Sequence, residues 1–362
     1  MSRLSLTDDL EIWRRAAAFD PTLGAAPRLS SSLAMKRVSA EPFTRQLLFQ
    51  RMADGDISLF TGLSVLPAKH AHSDPCRLLA DTLRKSFPSA ESVRVATGRR
   101  GLRRTVPVAT LVDRWEDRRA LISITDLHIR GTRLDGVIDT DVLSNFNILC
   151  RGSEDVAWHE MMTMVVSSEG IVTDSHSDDP DGSNHCFIGL KLWLVWETFE
   201  GRTKGLQDVE RDYVPKRARF DMSTFLQLRS ARWFVVSPGM TLFLPGDLTH
   251  KVVTLEPYLG VGSFYVSIPN CVRTISRWRL HGPLWSTRER ESNTPALVGE
   301  IARTATTVIR RVRRMGPEAQ KQWGLAFLDR SIRSWKRAVP AATREKLLQE
   351  PSFKALITEA SA

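Results

Sequence analysis

The middle of the chain has a different pattern of apolar and polar positions from the segments on either side of it. Between residues 161 and 268, short apolar runs alternate with Gly, Pro, Asp and Asn. Regularly spaced short strands of this kind are typical of an antiparallel sandwich or barrel. The strands are predicted at the runs MMTMVV, FIGLKLWLVW, RWFVVS, MTLFLP, HKVVTL and GVGSFYVSI.

The flanking segments are mostly helical in period. The pattern predicts helices at 44–52, 75–87, 108–115, 295–315, 317–339 and 341–357, and short strands at 93–95 and 120–124. Prolines stand at the starts or borders of the last three helices, as is usual for helix ends. We therefore expect a mainly β core with flanking helices, divided into a mostly helical lead-in (1–90), a β-rich domain (91–283) and a C-terminal helical region (284–362).

Composition is that of a globular protein. The chain has 362 residues, of which 42% are hydrophobic and 25% are charged, so it can bury a sizeable core. No segment reaches the roughly 18 apolar residues that a membrane span needs, and charges interrupt every early apolar run, which argues against a signal peptide. The cysteines Cys76, Cys150, Cys186 and Cys271 have no close metal-type spacing, so we expect reduced thiols and a cytoplasmic protein.

The formal net charge is +10, and the segment 285–362 holds 15 basic and 8 acidic residues. Such a tail could attract nucleic acid or another acidic partner. No aromatic-interleaved or recognised nucleic-acid motif accompanies the charge, so a solvated Arg-rich helix face is favoured. The apolar positions of the tail are too many for a solitary solvated arm, and we expect them to cap the core or to form a homodimer interface.

A candidate metal site lies in the segment GIVTDSHSDDPDGSNHCFIGLKLWLVWE. Residues two apart on a strand share a face, so His176 and Asp178 can converge on one ion. They supply two members of a facial triad of two histidines and one carboxylate. A later strand should provide the third ligand, and the turns Pro238-Gly239 and Pro245-Gly246-Asp247 lead to His250. Three protein ligands leave positions open on Fe(II) for a bidentate 2-oxo acid and O₂.

Lys191 stands in the otherwise apolar run FIGLKLWLVW. Either its side chain reaches solvent along the strand, or it pairs with a buried anion. A dicarboxylate that binds the metal through its keto-acid end would present its distal carboxylate deeper in the site, within reach of a lysine. If Lys191 has no such role, Arg229, Arg232 or Arg273 would have to be the anchor.

The ordered set Thr173, His176-x-Asp178, Lys191-x-Trp193, Pro238-Gly239, Pro245 and His250 resembles the JmjC-type oxygenases. The resemblance is to the branch that includes the asparaginyl hydroxylase of hypoxia-inducible factor, and it covers about residues 90–275. It implies a double-stranded β-helix of the cupin and jelly-roll type as the catalytic domain. It also implies that His176, Asp178 and His250 bind Fe(II).

For the cosubstrate 2-oxoglutarate, the resemblance implies that Lys191 and Thr173 hold the distal carboxylate, with Ser267 as a further polar neighbour. Simple alternation places Thr173 on the opposite face from His176, so its role requires a bulge or a twist near Asp174-Ser175. Ser267 matches the family position only after a one-residue shift. The aromatic pair that usually precedes the last histidine is replaced by Leu248-Thr249, so the shape of the substrate does not carry over.

Other residues of this region have open alternatives. The acidic segment 179–185 is either a solvated turn or a substrate contact. His185 is a possible but disfavoured ligand, whereas His70, His72, His128, His159 and His281 are expected in the core or at the surface. Trp193 and Trp196 are expected to pack on opposite faces of one strand.

The sequence thus predicts a 2-oxoglutarate-dependent dioxygenase that uses Fe(II) and O₂ to hydroxylate a small molecule or a peptide. A protein or tRNA hydroxylase or demethylase of the JmjC type is the alternative within enzymes. A non-catalytic cupin-like binding protein is the alternative outside enzymes, and the complete triad argues against it.

Overall fold

A computed structural model describes residues 9–70, 73–86, 92–97, 102–115, 117, 119–129, 133–139, 146–148, 161–178, 180–206, 220–246, 248–281 and 294–362. In that part of the chain, 11 strands form one large, mostly antiparallel sheet. The strands are β1 (Glu41–Pro42), β2 (Ser58–Thr61), β3 (Ser92–Thr97), β4 (Leu102–Pro107), β5 (Ile122–His128), β6 (Met161–Ser167), β7 (Val172–Ser177), β8 (Asp181–Glu197), β9 (Arg232–Val236), β10 (Met240–Leu244) and β11 (Leu248–Tyr265).

Two long strands, β8 with 17 residues and β11 with 18, organise the sheet. They pair with each other over their whole length. The first half of β8 and the second half of β11 are flanked by β10 and β6. The other halves are flanked by β9 and β7. The result is two four-stranded arrays, β10-β8-β11-β6 and β9-β8-β11-β7, that share the two long strands.

The two arrays face each other across an apolar interior. Cys186, Leu242 and Tyr258 from the first array join Trp193, Phe234 and Val252 from the second in one buried cluster. Because neighbouring side chains on a strand point to opposite faces, the alternate residues of β8 and β11 face outward. The runs that read as separate strands, HKVVTL and GVGSFYVSI, are therefore parts of one bent strand.

Helices cover the outer faces of the arrays. The helices before the metal-site region are α1 (Asp9–Phe19), α2 (Ser30–Ala34), α3 (Arg45–Asp54), α4 (Pro75–Ser86) and α5 (Val108–Arg114). Helix α1 packs on the second array, where the Trp13 and Trp233 rings lie 5.0 Å apart edge to face. Apolar residues of α3, α4 and α5 pack in the cluster that covers the outer face of the first array. The predictions at 44–52, 75–87 and 108–115 are confirmed, and the lead-in also contains β1 and β2, with β2 paired to β10.

The later helices are α6 (Thr198–Thr203), α7 (Met222–Gln227), α8 (Cys271–His281), α9 (Thr294–Arg313), α10 (Pro317–Gln322), α11 (Leu328–Ala338), α12 (Ala341–Leu348) and α13 (Pro351–Ser361). Of these, α8, α9, α11, α12 and α13 share a buried cluster with Val266 and Ile268, which follow β11. Two of the predicted helices are divided. Gly324, with φ of 69°, interrupts the predicted helix at 317–339, and Pro351 begins a new helix inside 341–357.

Among the described residues, no helix combines the length and apolar character needed to cross a membrane. Many apolar positions of the C-terminal helices, including Ile301, Leu328 and Trp335, are buried within the chain itself. These positions therefore pack against α8 and the end of β11.

Candidate metal centre

Three side chains from two neighbouring strands converge at one edge of the second array. His176 of β7 lies directly opposite His250 of β11 in the strand register, and their rings are 4.2 Å apart. Asp178 follows the end of β7, and its Oδ2 lies 3.7 Å from His250 Nε2. One potential ligand atom from each of the three residues lies within 4.8 Å of the other two. A single cation can therefore contact all three residues.

Backbone carbonyls fix the orientation of both imidazoles. His176 Nδ1 is 2.8 Å from the carbonyl oxygen of Asp174, and His250 Nδ1 is 3.2 Å from that of Leu248. A ring that donates its Nδ1–H to a carbonyl keeps the Nε2 lone pair for a metal. Both histidines are thus set in the tautomer that binds an ion through Nε2.

The site is closed on one side and open on the other. The His250 side chain is 3% exposed, whereas that of Asp178 is 35% exposed. Trp193 lies beside His250, with ring centroids 5.2 Å apart. Two imidazole nitrogens and one carboxylate oxygen are the donors of a facial triad, which leaves positions for exogenous ligands on Fe(II). The residues present therefore fit a mononuclear non-haem iron.

Lys251 follows His250 in β11, and its side chain lies on the outer face. There it forms ion pairs that hold neighbouring segments of the chain together. Its Nζ lies 2.9 Å from Asp20 Oδ2 and 3.1 Å from Asp174 Oδ1. Asp20 also caps the turn after α1 by accepting from Thr22 N at 3.0 Å. The carbonyl of Asp174 contacts His176, so this ion cluster connects the N-terminal segment to a ligand. Sequence reasoning missed it, although a lysine at the start of the apolar run HKVVTL was a usable signal.

Lys191 is buried, with only 4% of its surface exposed. Its register partner on β11 is Thr254, two alternations from His250, so the two side chains share the inner face. Among the described residues no carboxylate forms an ion pair with Lys191, and its Nζ lies 4.4 Å from the centre of the Tyr258 ring. Burial lowers the pKa of the Lys191 ammonium to about 7. The alternative of a solvent-reaching lysine is wrong.

Thr173 lies on the inner face because β7 contains a bulge. The register pairs His176 with His250 but Thr173 with Val252, so β7 has one more residue than β11 over this interval. Since Val252 and His250 share a face, Thr173 shares it too. The irregularity required at Asp174-Ser175 is present, and it places Thr173 in the same cross-strand row as Trp193.

Ser267 does not join this group. It lies beyond the end of β11, is fully buried, and its hydroxyl donates to Asp181 Oδ2 at 3.4 Å. Its backbone bridges to Asn147. The position of Ser267 beyond β11 therefore does not fit the role that the one-residue shift would give it. The assignment of Ser267 to the cosubstrate site is corrected to a structural role.

The segment 179–185 is not a surface turn from Asp181 onward, because β8 begins there. Asp181 is 1% exposed. His185 is on the outer face, where it shares a hydrogen bond of 2.8 Å with Thr241 Oγ1 and packs edge to face on Phe187. Burial lowers its pKa to about 4. The turn prediction for residues 181–185 is wrong, and His185 cannot reach the triad.

The remaining candidates are elsewhere. Arg229 and Arg232 are exposed, and Arg273 donates to Asp54 O and Ser334 Oγ, both at 3.1 Å. His70 lies in a short 3-10 turn. His72 and His159 fall outside the described residues, as do the side chains of His128 and His281.

Trp196 packs on the outer face with Phe225, opposite Trp193 as predicted. Cys186 and Cys271 are buried free thiols, and the other two cysteine side chains are outside the described part.

Compared with models of protein families and with curated proteins, the chain gives no match to either. The functional argument therefore depends on the geometry of the site.

Proposed function

We propose that the chain is a non-haem Fe(II) oxygenase that depends on 2-oxoglutarate, with His176, Asp178 and His250 as the iron ligands. The observation that carries the proposal is the convergence of these three side chains, whose ligand atoms lie within 4.8 Å of one another. Two Nε2 atoms and a carboxylate at such distances match the donor set of this enzyme class. The partly exposed Asp178 faces the open side of the site.

The strand pairing supports the same proposal. Two arrays of order β10-β8-β11-β6 and β9-β8-β11-β7 that share long, bent strands are what a double-stranded β-helix would produce. We interpret the fold as this jelly-roll type, with β7 and the first half of β11 carrying the ligands. Barrels of this size generally hold side chains and one small ligand in their interior.

The inner face favours a dicarboxylate as cosubstrate. The row of His176 and His250 is followed by the row of Thr173 and Trp193, and then by Lys191. Successive same-face residues of a strand are roughly 7 Å apart, so a ligand chelated at the metal would extend over one row toward Lys191. An ammonium buried without a carboxylate is costly. A distal carboxylate from the cosubstrate, hydrogen-bonded by Lys191 and Thr173, would compensate this cost.

With 2-oxoglutarate and O₂, the bound Fe(II) would supply oxidation of an unactivated C–H bond, with release of succinate and CO₂. The chain orients the reactants. His176, Asp178 and His250 would hold the ion, and Lys191 would align the cosubstrate along the barrel. Trp193 and the apolar side chains of the interior would exclude water from that side of the site. A small molecule or peptide that enters on the Asp178 side is the substrate class we propose, and hydroxylation is the reaction.

The test is anaerobic titration of Fe(II) with 2-oxoglutarate, followed by the weak visible charge-transfer band of the chelate. The wild-type chain should develop the band, and His176→Ala and His250→Ala should abolish it because each removes one of three ligands. His185→Gln is the matched control, since it changes a buried histidine on the other face, and it should keep the band. Wild-type iron affinity in both alanine variants would show that the ligand assignment is wrong.

A screen for succinate release would then identify the substrate. Candidate small molecules and peptides are incubated with Fe(II), 2-oxoglutarate and O₂, and the products are read by mass spectrometry. An increase in succinate accompanied by a substrate mass gain of one oxygen would support hydroxylation. If only RNA or a folded protein stimulated turnover, the JmjC-type alternative would replace the small-molecule assignment.

A further inference from the structure

Asp181 is a fully buried carboxylate three residues after the proposed ligand Asp178. Its Oδ1 accepts hydrogen bonds from Gly246 N at 2.9 Å and from Asn270 Nδ2 at 2.6 Å. Its Oδ2 accepts from Ser267 Oγ at 3.4 Å. A carboxylate removed from water is stable only where hydrogen bonds satisfy it. Three donors from two separate segments do so here.

The most informative of these donors is Gly246, because it lies in the turn that leads from β10 to His250. The N–H of Gly246 is held by Asp181, and its carbonyl accepts from Arg277 Nη1 at 2.9 Å. Both backbone polar groups of Gly246 are therefore held by hydrogen bonds, each with a different residue. We call these two hydrogen bonds the Gly246 clamp. Since β11 starts two residues later at Leu248, the clamp fixes the position of His250 in the strand.

The same clamp reaches the C-terminal helices. Asn270 immediately precedes α8, and Arg277 belongs to it. Val272 and Ile275 of α8 are buried against α9, α11 and α13 in the C-terminal cluster. A continuous set of contacts therefore runs from that cluster through α8 to Asp181 and the turn before His250. The segments that carry Asp178 and His250 meet at one carboxylate.

We propose that Asp181 is a positioning residue that holds the Asp178 and His250 segments in register, and that α8 sets the metal affinity of the site through it. This inference rests on the proposed function, because it takes the triad to be a metal site. Asp181 does not touch the ion. It acts by fixing Gly246 on one side and the start of β8 on the other, so that the two ligands keep a separation that one cation can bridge.

The charges around Asp181 agree with this role. Burial raises the pKa of Asp181 to about 6, against the lowering effect of the hydrogen bonds from Gly246 and Asn270 and of the Arg273 guanidinium. The carboxyl group is thus mostly ionised at neutral pH, and its hydrogen bonds from Gly246 and Asn270 are charge-assisted. An amide at this position would keep one acceptor oxygen but would direct an N–H₂ group at donors.

The test is Asp181→Asn, with Co(II) as a spectroscopic probe of the metal site. We expect Co(II) to bind about tenfold more weakly than to the wild type, the lower end of the range for loss of an outer-shell partner. The Co(II) d–d bands should also change, because the geometry of the ligands changes. Arg277→Gln, which removes the hydrogen bond to the carbonyl of Gly246 and leaves Asp181 in place, should shift affinity and spectrum in the same direction by less.

Asp54→Asn is the matched control. Asp54 is a partly buried carboxylate that pairs with Arg330 of α11 through two hydrogen bonds, so it ties the C-terminal helices to α3 without touching the turn. This variant should lower the melting temperature and leave the affinity and spectrum of Co(II) unchanged. A purely structural role of Asp181 predicts the same behaviour for Asp181→Asn.

The outcomes separate the two proposals. If Asp181→Asn lowers the melting temperature but keeps wild-type affinity and spectrum, Asp181 is structural and the inference is overturned. Should that variant not fold, Arg277→Gln decides in the same way. A wild-type chain that binds no Co(II), or a His176→Ala variant that binds it unchanged, overturns the metal site and this inference together.

Discussion

The two buried lysines of the second array lie on opposite faces of the sheet, and only Lys251 has a carboxylate partner among the described residues. Lys251 on the outer face has carboxylate oxygens of Asp20 and Asp174 at 2.9 and 3.1 Å. Lys191 on the inner face has no carboxylate partner among the described residues, and its Nζ lies over the Tyr258 ring. An unpaired buried cation lowers stability, and such a cost is typical of functional sites. The difference therefore separates a structural lysine from the lysine that we propose as the anchor of the cosubstrate.

Lys191→Met should raise the stability of the ligand-free protein and weaken 2-oxoglutarate binding. The folded-state pKa of Lys191 is about 7 against an ordinary 10.5, so the unfolded chain binds more protons between those values. The penalty for the buried charge is largest below pH 7 and fades as pH rises through 10.5. We expect a gain of about 1–3 kcal/mol at neutral pH or below, and a rise of at least about tenfold in the apparent 2-oxoglutarate KM.

Lys251→Met is the matched control, since it removes a cation that is paired. It should destabilise the chain by about 3 kcal/mol, because Asp20 and Asp174 lose their partner. Denaturant titration at pH 6.5 and pH 9.5 gives the stability, and succinate formation against 2-oxoglutarate concentration gives the KM, with iron affinity measured separately. An unchanged KM in Lys191→Met would mean that another residue anchors the cosubstrate.

At the scale of the strand, the local residue composition of each strand determined whether the sequence could predict it. Short apolar runs identified β6, β9 and β10, and the face shared by His176 and Asp178 followed from alternation. The start of β8 was missed because Asp181, Gly182 and Asn184 have turn-type chemistry. Their strand conformation results from pairing with β10 and β11, which local sequence does not encode. The bulge in β7 was stated as a requirement near Asp174-Ser175, and the register of β7 against β11 has it there.

Gly189 is where β8 passes from one array to the other. Its φ is 88°, and a Cβ there would lie 2.1 Å from the carbonyl oxygen of Pro257 on β11. Side chains avoid this conformation, and the opposing backbone cannot move away without breaking the pairing of the long strands. Glycine is therefore needed both for its backbone angle and for the close approach.

Gly189→Ala should lower the free energy of unfolding by at least about 3 kcal/mol, since it combines backbone strain with a backbone clash. Gly239→Ala is the control, because Gly239 has a similar φ of 82° with nothing within 4 Å of the added Cβ. It should lose only about 1 kcal/mol. Chemical denaturation of both variants gives the comparison. Equal losses would show that the crossing of the arrays tolerates a side chain.

At the scale of the whole molecule, the question is whether the C-terminal helices fold with the sheet. Their buried cluster includes Val266 and Ile268, which continue directly from β11. Arg330 of α11 pairs with Asp54 of α3, and Arg273 of α8 donates to Asp54 O. Apolar contacts with α8 and the end of β11, and an ion pair with α3, thus join the predicted C-terminal helical region, 284–362, to the rest of the described chain. We expect one cooperative unit.

Trp335→Ala tests this cooperativity. Trp335 is 1% exposed, donates to Ser276 Oγ at 3.0 Å and packs edge to face on Phe353, so its loss should cost about 3–5 kcal/mol. If the chain unfolds as one unit, calorimetry should show a single transition at a lower temperature, and the charge-transfer band of the iron site should disappear in the same transition. Trp323→Ala, at a partly exposed tryptophan of the same region, should shift the transition by less. A separate low-temperature transition that leaves the iron signal intact would instead show that the C-terminal region is an independent domain. In that case, the stability of the metal site would not depend on α9 and the helices that follow it.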